Sequence, residues 1–355
     1  EGLIHDLNIM NSRSGNQVPF SSINFGTDIS PEGRCVIKAF LEAVDNGVGN
    51  ENKTAIFPIS IFKVKAGINR NSEDKNYDLF KFAQKVTSKR FFPNFINLDT
   101  AFNYNEKWDI NDPNRWYYEP STMGCRTRVY ENRHGEKSSV GRGNASFTSI
   151  NIVRLALKAM KSKKTIEERK EVFFAEMDKI MNLTANQLVE RWEWQKTALA
   201  KQFPYVMKYL AEYNEGIKSS DKVENIIKHF TLSIGFIGLA EALVALTSTI
   251  DSEGNYVKGV HHGESDEAQA LGIEIVRHMH LKCKEFSEKY DLNFGLIATP
   301  AEGLSHKFTD SDKKMFGTYE GVNSREYYTN SNHVPVYYKC SVNRKAEVEA
   351  PYHEL

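Results

Sequence analysis

Nothing in this chain of 355 residues approaches the roughly 20 consecutive apolar residues that span a bilayer, and no charged and then apolar leader opens it. Both absences predict a cytoplasmic protein with no membrane partner. Cysteine is scarce: Cys35, Cys125, Cys283 and Cys340 lie far apart, without a Cys-x-x-Cys pair. This excludes a disulfide framework and a cysteine zinc site, and it suits a reducing compartment. Net charge is missing too, since 46 basic residues balance 46 acidic ones with no long run of either sign. A nucleic-acid polymer or an anionic membrane is thereby excluded as the main partner, whereas small anions are not. The chain has no internal repeat, no low-complexity tract and no initiating methionine. Its start at Glu1 predicts a processed, split or trimmed polypeptide.

A chain this long exceeds the usual limit of one compact core, so it predicts one large α/β domain or two smaller ones. The local signals alternate. ISPEGRCVIKAFLEAVDNG reads as a helix with Ser30 as N-cap, Pro31 in the first turn, apolar positions 36, 37, 40, 41 and 44, and a stop at Gly47. TAIFPISIFKV (54–64) reads as a strand buried on both faces. NYDLFKFAQKVTSKRFFP returns to helical spacing and ends at Pro93. SFTSINIV is a strand candidate, followed by a helical region from about Thr165 to Glu212 that carries Trp192 and Trp194. FTLSIGFIGLAEALVAL predicts a buried strand running through a glycine turn into a helix. ESDEAQALGIEIVRHMHLKCKEFSEKY predicts a long helix, and NFGLIATPAEG repeats the strand-to-turn pattern. Such alternation implies a largely parallel sheet or barrel covered by helices, with ligands at the carboxyl ends of the strands.

Several segments could carry chemistry. In PSTMGCRTRV (120–129) Cys125 stands between Gly124 and Arg126, about 15 residues before the GRGN turn (141–144). A lone cysteine is often a small buried hydrophobe, but a thiol on a polar loop is also a candidate nucleophile or radical carrier. A nucleophile needs a base, and His134 is the histidine near it in sequence. In ATPAEGLS (298–305), Thr299, Ala301, Gly303 and Ser305 could present N–H groups and hydroxyls to a phosphate at a helix start; the alternative is an ordinary strand-to-helix turn. Glu302 suits a sugar hydroxyl better than a phosphate. SIGFIGLAEAL reads as core packing at a glycine turn or as the floor of a site. HHGES (261–265) is expected to be a solvated loop ending in a cap at Ser265, since adjacent histidines diverge and no Glu-x-x-His follows. No metal site is therefore expected. Tyr327, Tyr328 and His333 read as hydrogen-bonded loop anchors.

Taken jointly, VPFSSINFGTDISPEG, FPISIFKVKAGIN, MGCRTRV with GRGN and SFTSIN, GFIGLAEAL, ATPAEGLS, and SREYYTNSNHVPV with EAPYH resemble the anaerobic, class III ribonucleoside-triphosphate reductases, a family of glycyl-radical enzymes. The segments follow the family's order and cover nearly the whole chain. The resemblance implies a ten-stranded α/β barrel, with a finger loop at about 119–130 that carries Cys125 as the thiyl radical removing the 3′ hydrogen of the nucleotide. Water-excluding walls would protect that radical. It further implies that Thr299, Ala301, Glu302, Gly303 and Ser305 line the triphosphate site, and that Met123 and Gly124 shape the loop beside the thiol. Asn144 is the implied amide near the ribose and the formate reductant, with Asn151 as the alternative. Cys35, Cys283 and Cys340 match no catalytic position, and Cys35 and Cys283 are expected to be structural.

By the same resemblance the chain corresponds to the central part of the barrel, incomplete at both ends. An amino-terminal ATP cone and a carboxy-terminal segment with a zinc site and the radical glycine would lie outside it. No cofactor is then expected on the chain itself. The glycyl radical would be generated by an activase that uses S-adenosylmethionine and an iron-sulfur cluster, and ATP and deoxynucleotides would act as effectors. Alone the chain is expected to be inactive and to associate, through exposed sheet edges, with a complementary chain or a second copy. The rival readings are a glycyl-radical lyase of the pyruvate formate-lyase type, which needs no triphosphate turn, and a non-catalytic nucleotide-binding scaffold. A cysteine hydrolase would instead require Cys125 to be an acidic thiol.

Overall fold

A computed structural model describes residues 1–11, 18, 20–124, 127–209, 216–299 and 301–355. The chain divides into two compact units, Glu1–Arg142 and Gly143–Leu355, each with its own hydrophobic core.

The first unit contains helix α1 (Gly2–Ile9) and the alternating series β1 (Ser22–Phe25), α2 (Pro31–Asn46), β2 (Ile59–Val64), α3 (Tyr77–Arg90) and β3 (Asn94–Asn97). The strands are parallel in the order β1-β2-β3. Helix α2 starts where the sequence predicts, with the Ser30 hydroxyl accepting from Gly33 N and Pro31 as its first residue, and it stops at Gly47. Its buried face, Ile37, Leu41 and Val44, meets Leu79, Ala83 and Val86 of α3 over Phe62 of β2. The strand predicted over 54–64 begins only at Ile59, because Pro58 has no N–H to give a ladder. A short antiparallel hairpin, β4 (Thr122–Met123) with β5 (Thr127–Arg128), completes this unit.

The second unit begins with β6 (Asn144–Asn151), α4 (Ile152–Ser162) and α5 (Ile166–Gln195). The short helices α6 (Pro204–Tyr209) and α7 (Glu224–Ile227) lead into β7 (Thr231–Ile237) and α8 (Leu239–Thr247). A small hairpin, β8 (Thr249–Ile250) with β9 (Tyr256–Val257), precedes α9 (Asp266–Tyr290), β10 (Asn293–Ala298), α10 (Gly303–Phe316) and α11 (Val342–His353). The sheet is parallel, in the order β10-β7-β6. Alternation sends Ile150, Leu232, Ile234 and Phe236 to one face, where they pack with Leu155, Phe173, Met177, Leu243 and Ile275 of the helices. This is the α/β alternation read from the sequence.

The sequence-predicted helix over 165–212 is interrupted. Helix α5 opens with a Thr165–Glu168 capping box and ends at Gln195. Beyond it, Ala200 N, Lys201 N and Val223 N bond to Asp221 O, Ser219 O and Ala198 O, so the backbone pairs with a distant segment instead of continuing the helix. Trp192 is buried in the core whereas Trp194 is exposed. Arg169, also buried, directs one guanidinium nitrogen at the carbonyls of Leu246 and Ser248, which end α8. No helix among the described residues is long and apolar enough to cross a membrane.

Candidate functional site

The face of the second sheet opposite its helices is built mostly from small and polar side chains, with Phe147 and Ile297 as the apolar exceptions. Register places Asn144, Thr231 and Asn293 together at its amino end, then Phe147, Ser233 and Gly295, then Ser149, Gly235 and Ile297. Thr299 follows at the carboxyl end. Its hydroxyl lies 2.8 Å from that of Ser149, across Gly235 of the central strand. A Cβ on Gly235 would stand 1.9 Å from Thr299 Oγ1, so this crossing is possible only at glycine. Gly238, where β7 turns into α8, has φ +89°, and a Cβ there would meet Val153 at 2.2 Å.

Above this end of the sheet lies a cavity of about 590 Å³. Ala301, Glu302, Ser305 and His306 form one wall, the 326–336 segment another, and Lys345 of α11 a third. Ala301 N donates to Asn330 Oδ1 (3.2 Å), and Ser331 Oγ donates to Thr299 O (3.1 Å). Ser305 is buried with its hydroxyl on Glu302 O (2.8 Å), while Glu302 and Gly303 are exposed. No side chain among the described residues caps α10, and its first N–H groups are of the kind that an anion at the start of a helix would use. The turn read from the sequence as a phosphate holder thus borders a cavity. Thr299 serves as a buried strut beneath it.

A buried polar hub fixes α10 in place. Asp312, fully buried, accepts from Asn151 Nδ2 (2.7 Å), Arg154 Nε (2.6 Å) and Tyr328 OH (2.9 Å). Asn151 also caps α4 by accepting from Arg154 N (3.1 Å). Its amide is therefore fully engaged in joining β6, α4 and α10. Tyr328, an expected anchor, is buried; burial and then the Asp312 carboxylate push its hydroxyl pKa up. Tyr327 is half exposed, and His333 Nδ1 lies 3.3 Å from Glu349 of α11.

Asn144 lies elsewhere. It is on the polar face but at the amino end of β6, about 20 Å along the strand from the Thr299 level at 3.3 Å per residue. With its amide oriented to satisfy its neighbours, the nitrogen donates to Thr231 O (3.0 Å) and Ser146 O (2.9 Å). Thr299, Ala301, Glu302 and Ser305 are brought together; Asn144 is not brought to them.

Sequence reasoning missed Glu241. Buried in the first turn of α8, it accepts from Thr329 N (3.0 Å) and Thr329 Oγ1 (2.6 Å) through Oε1, and Oε2 has no hydrogen-bond partner among the described residues. Burial lifts its carboxyl to about 6. The available signal was an acid inside the apolar run GLAEALVAL. Asp312 offered no such signal.

HHGES differs from its expectation as a solvated loop. His261 and His262 are buried against Tyr338 and Tyr352, with ring centroids 4.8 and 5.6 Å apart, because α11 and the 338 segment cover them. Burial, with His261 beside it, lowers His262 to about 3. Ser265 does cap α9, accepting from Ala268 N. No group of three or more His, Cys, Asp or Glu among the described residues could hold a metal ion. Cys283 is buried on α9, its thiol pushed up to about 12 by desolvation, whereas Cys35 and Cys340 are exposed, which removes Cys35 from the core.

In the first unit, Cys125 and Arg126 lie outside the described residues. The strands that flank them are held firmly. Asn24 of β1 brackets Thr122, accepting from its N–H (3.1 Å) and donating to its carbonyl (3.0 Å), and Gly124 N donates to Ser22 Oγ (2.6 Å). Met123 pairs with Thr127. Arg128 forks onto both oxygens of Glu131 (2.9 and 3.0 Å). Burial would raise that carboxyl, but the Arg128 bonds override it and hold it low. Beneath lies a buried ion pair, Lys63 Nζ to Glu119 Oε2 at 3.1 Å, with Thr27 Oγ1 and Trp108 Nε1 also donating to Glu119. Desolvation lowers the Lys63 ammonium pKa against the pull of Glu119.

Three comparisons bear on this arrangement. The chain is 29% identical to the anaerobic ribonucleoside-triphosphate reductase of Haemophilus influenzae, over all of this chain and 46% of that protein. It is 28% identical to that of Enterobacteria phage T4, over 98% of this chain and 53% of that protein. The chain thus spans about half the length of the curated relatives it matches. Crystal structures of the anaerobic ribonucleotide reductase from Thermotoga maritima share the fold: one with citrate in the active site has a TM-score of 0.62 at 16% identity, over 98% of this chain and 58% of that one. Another, in complex with dATP and CTP, has a TM-score of 0.60 at 16% identity, over 94% and 50%. The family model for the anaerobic ribonucleoside-triphosphate reductases matches residues 1–355 throughout, and the chain belongs to that family.

Proposed function

We propose that this chain supplies catalytic-barrel elements of an anaerobic ribonucleoside-triphosphate reductase, converting ribonucleoside triphosphates to deoxyribonucleoside triphosphates. The observation that carries the reading is the cavity at the carboxyl end of the second parallel sheet, bordered by the Thr299–Ser305 turn, in a chain matched along its whole length by the family. The start of α10 receives the triphosphate through backbone N–H groups, and Thr299 and Ser305 hold the turn rigid from below. The polar, small-residue face of the sheet is the interior face of a ten-stranded barrel. Asn24 and Ser22 fasten the strand that leads into Cys125, so that its thiol enters the barrel on a finger loop and carries a hydrogen atom from and back to the 3′ position of the ribose. Met123 and Gly124 shape that loop. Asn144, on the interior face, is the amide assigned to the ribose and formate. A glycyl radical made by an S-adenosylmethionine-dependent activase would generate the thiyl radical and be restored after each turnover, while formate, oxidised to carbon dioxide, would supply the two electrons and the 2′ hydroxyl would leave as water. Effector nucleotides, a zinc-bearing segment and a homodimeric or complementary partner belong to the same reading.

The test is complementation. The chain is mixed anaerobically with a second chain carrying the segments of the curated relatives that it does not span, together with activase, S-adenosylmethionine, formate and a ribonucleoside triphosphate. Deoxynucleotide is expected with the native chain and not with Cys125→Ser. A detectable glycyl radical without product would overturn the catalytic reading, and product unaffected by Cys125→Ser would remove the role of the thiol.

A further inference from the structure

We infer that Lys345 makes the cavity selective for a triphosphate over a diphosphate, an inference that rests on the reading of the Thr299–Ser305 turn as the phosphate site. Among the described residues that line the cavity, the acidic and basic side chains are Glu302, His306, Glu326, His333 and Lys345, beside the hydroxyls of Tyr327 and Tyr328. Three of them are engaged elsewhere. Glu326 lies 3.3 Å from Lys313, which faces it from α10. His306 Nδ1 bonds to Glu326 O (2.7 Å), and His333 Nδ1 pairs with Glu349 (3.3 Å). Glu302 is exposed at the start of α10.

Lys345 is the one permanent cation in that lining. It stands in the first turn of α11, on a wall separate from the turn. Among the described residues its ion-pair partner is Glu349, at 3.7 Å, and that carboxylate already accepts from Val334 N (2.8 Å) and meets His333. The ammonium is thus held at the cavity by a long, shared ion pair, with capacity left for a stronger anion. Backbone N–H groups recognise a phosphate without counting its charge. A cation on a second wall rewards the ligand that carries a further anionic phosphate across to it. Glu349 sets the position of this wall, because it ties α11 to the Val334 backbone and the His333 ring.

Binding of CTP and CDP to the 355-residue chain is measured by titration calorimetry for the native protein, Lys345→Met and Lys345→Arg. Lys345 is about half exposed, so both variants should fold, and a thermal melt checks this. The native chain is expected to prefer CTP. Lys345→Met should weaken CTP by about tenfold while leaving CDP within about twofold, and Lys345→Arg should keep most of the preference. An equal loss for both nucleotides, or no loss, overturns the inference while leaving the phosphate turn standing. A native chain that binds neither nucleotide overturns the site itself.

Discussion

Glu241 is a carboxyl placed where ionisation is expensive. Its Oε1 is well served by Thr329, but Oε2 is buried without a donor among the described residues, and a charge there lacks the compensation that water would give. Its folded pKa of about 6 stands above the ordinary carboxylate value, so the native state holds a proton that the unfolded chain has released. The stability this gives is present below pH 4.5 and is lost as pH rises through about 6. Glu241→Gln keeps the acceptor at Oε1 and cannot ionise. Relative to this variant, the native chain should lose about 2 kcal/mol between pH 4 and pH 7, read from urea unfolding midpoints. Parallel pH profiles for the two chains would show that the carboxyl is solvated and unperturbed. Gly235 states the same economy in steric terms. The hydroxyl pair of Ser149 and Thr299 occupies the space of its missing side chain.

At the scale of elements, the Asp312 hub decides where α10 starts, because it ties that helix to the end of β6, to α4 and to Tyr328 on the cavity wall. A buried carboxylate with three donors stabilises only as a complete set. Asp312→Asn and Arg154→Gln should each destabilise the second unit by about 2 kcal/mol, and the double variant should cost about 1 kcal/mol less than the sum. Additivity in that double-mutant cycle would mean that Arg154, which is partly exposed, contributes nothing through Asp312. The helices themselves were largely legible in the sequence. Ser30, Pro31, Gly47 and Ser265 are local signals, each acting within one turn of its own position. The turn at 299–305 was legible for the same reason. The Asp312 hub joins residues 151, 154, 312 and 328, and no local pattern encodes such a meeting. His261 and His262 misled because α11, some 80 residues later, buries them. Asn144 and Asn151 were indistinguishable by type. Strand direction separates them, placing one at each end of β6.

At the scale of the whole molecule, the two units carry different parts of the proposed chemistry. The strands flanking Cys125 belong to the first, β4 held to its sheet by Asn24 and Ser22 and β5 paired to β4. The Thr299–Ser305 turn, the cavity, Glu241, the Asp312 hub and Lys345 all lie in the second, over a core built, among the described residues, from those beyond Gly143. Every hydrogen bond named around the cavity also closes within that unit. Nucleotide binding should therefore not require the first unit. A fragment of residues 143–355 should fold cooperatively and bind CTP within about threefold of the intact chain, a difference of less than 1 kcal/mol. Circular dichroism melts and the same calorimetric titration check both parts. A folded fragment that binds no CTP, beside an intact chain that does, would mean that the first unit completes the phosphate site. The division of labour would then lie inside the site rather than between it and the thiol.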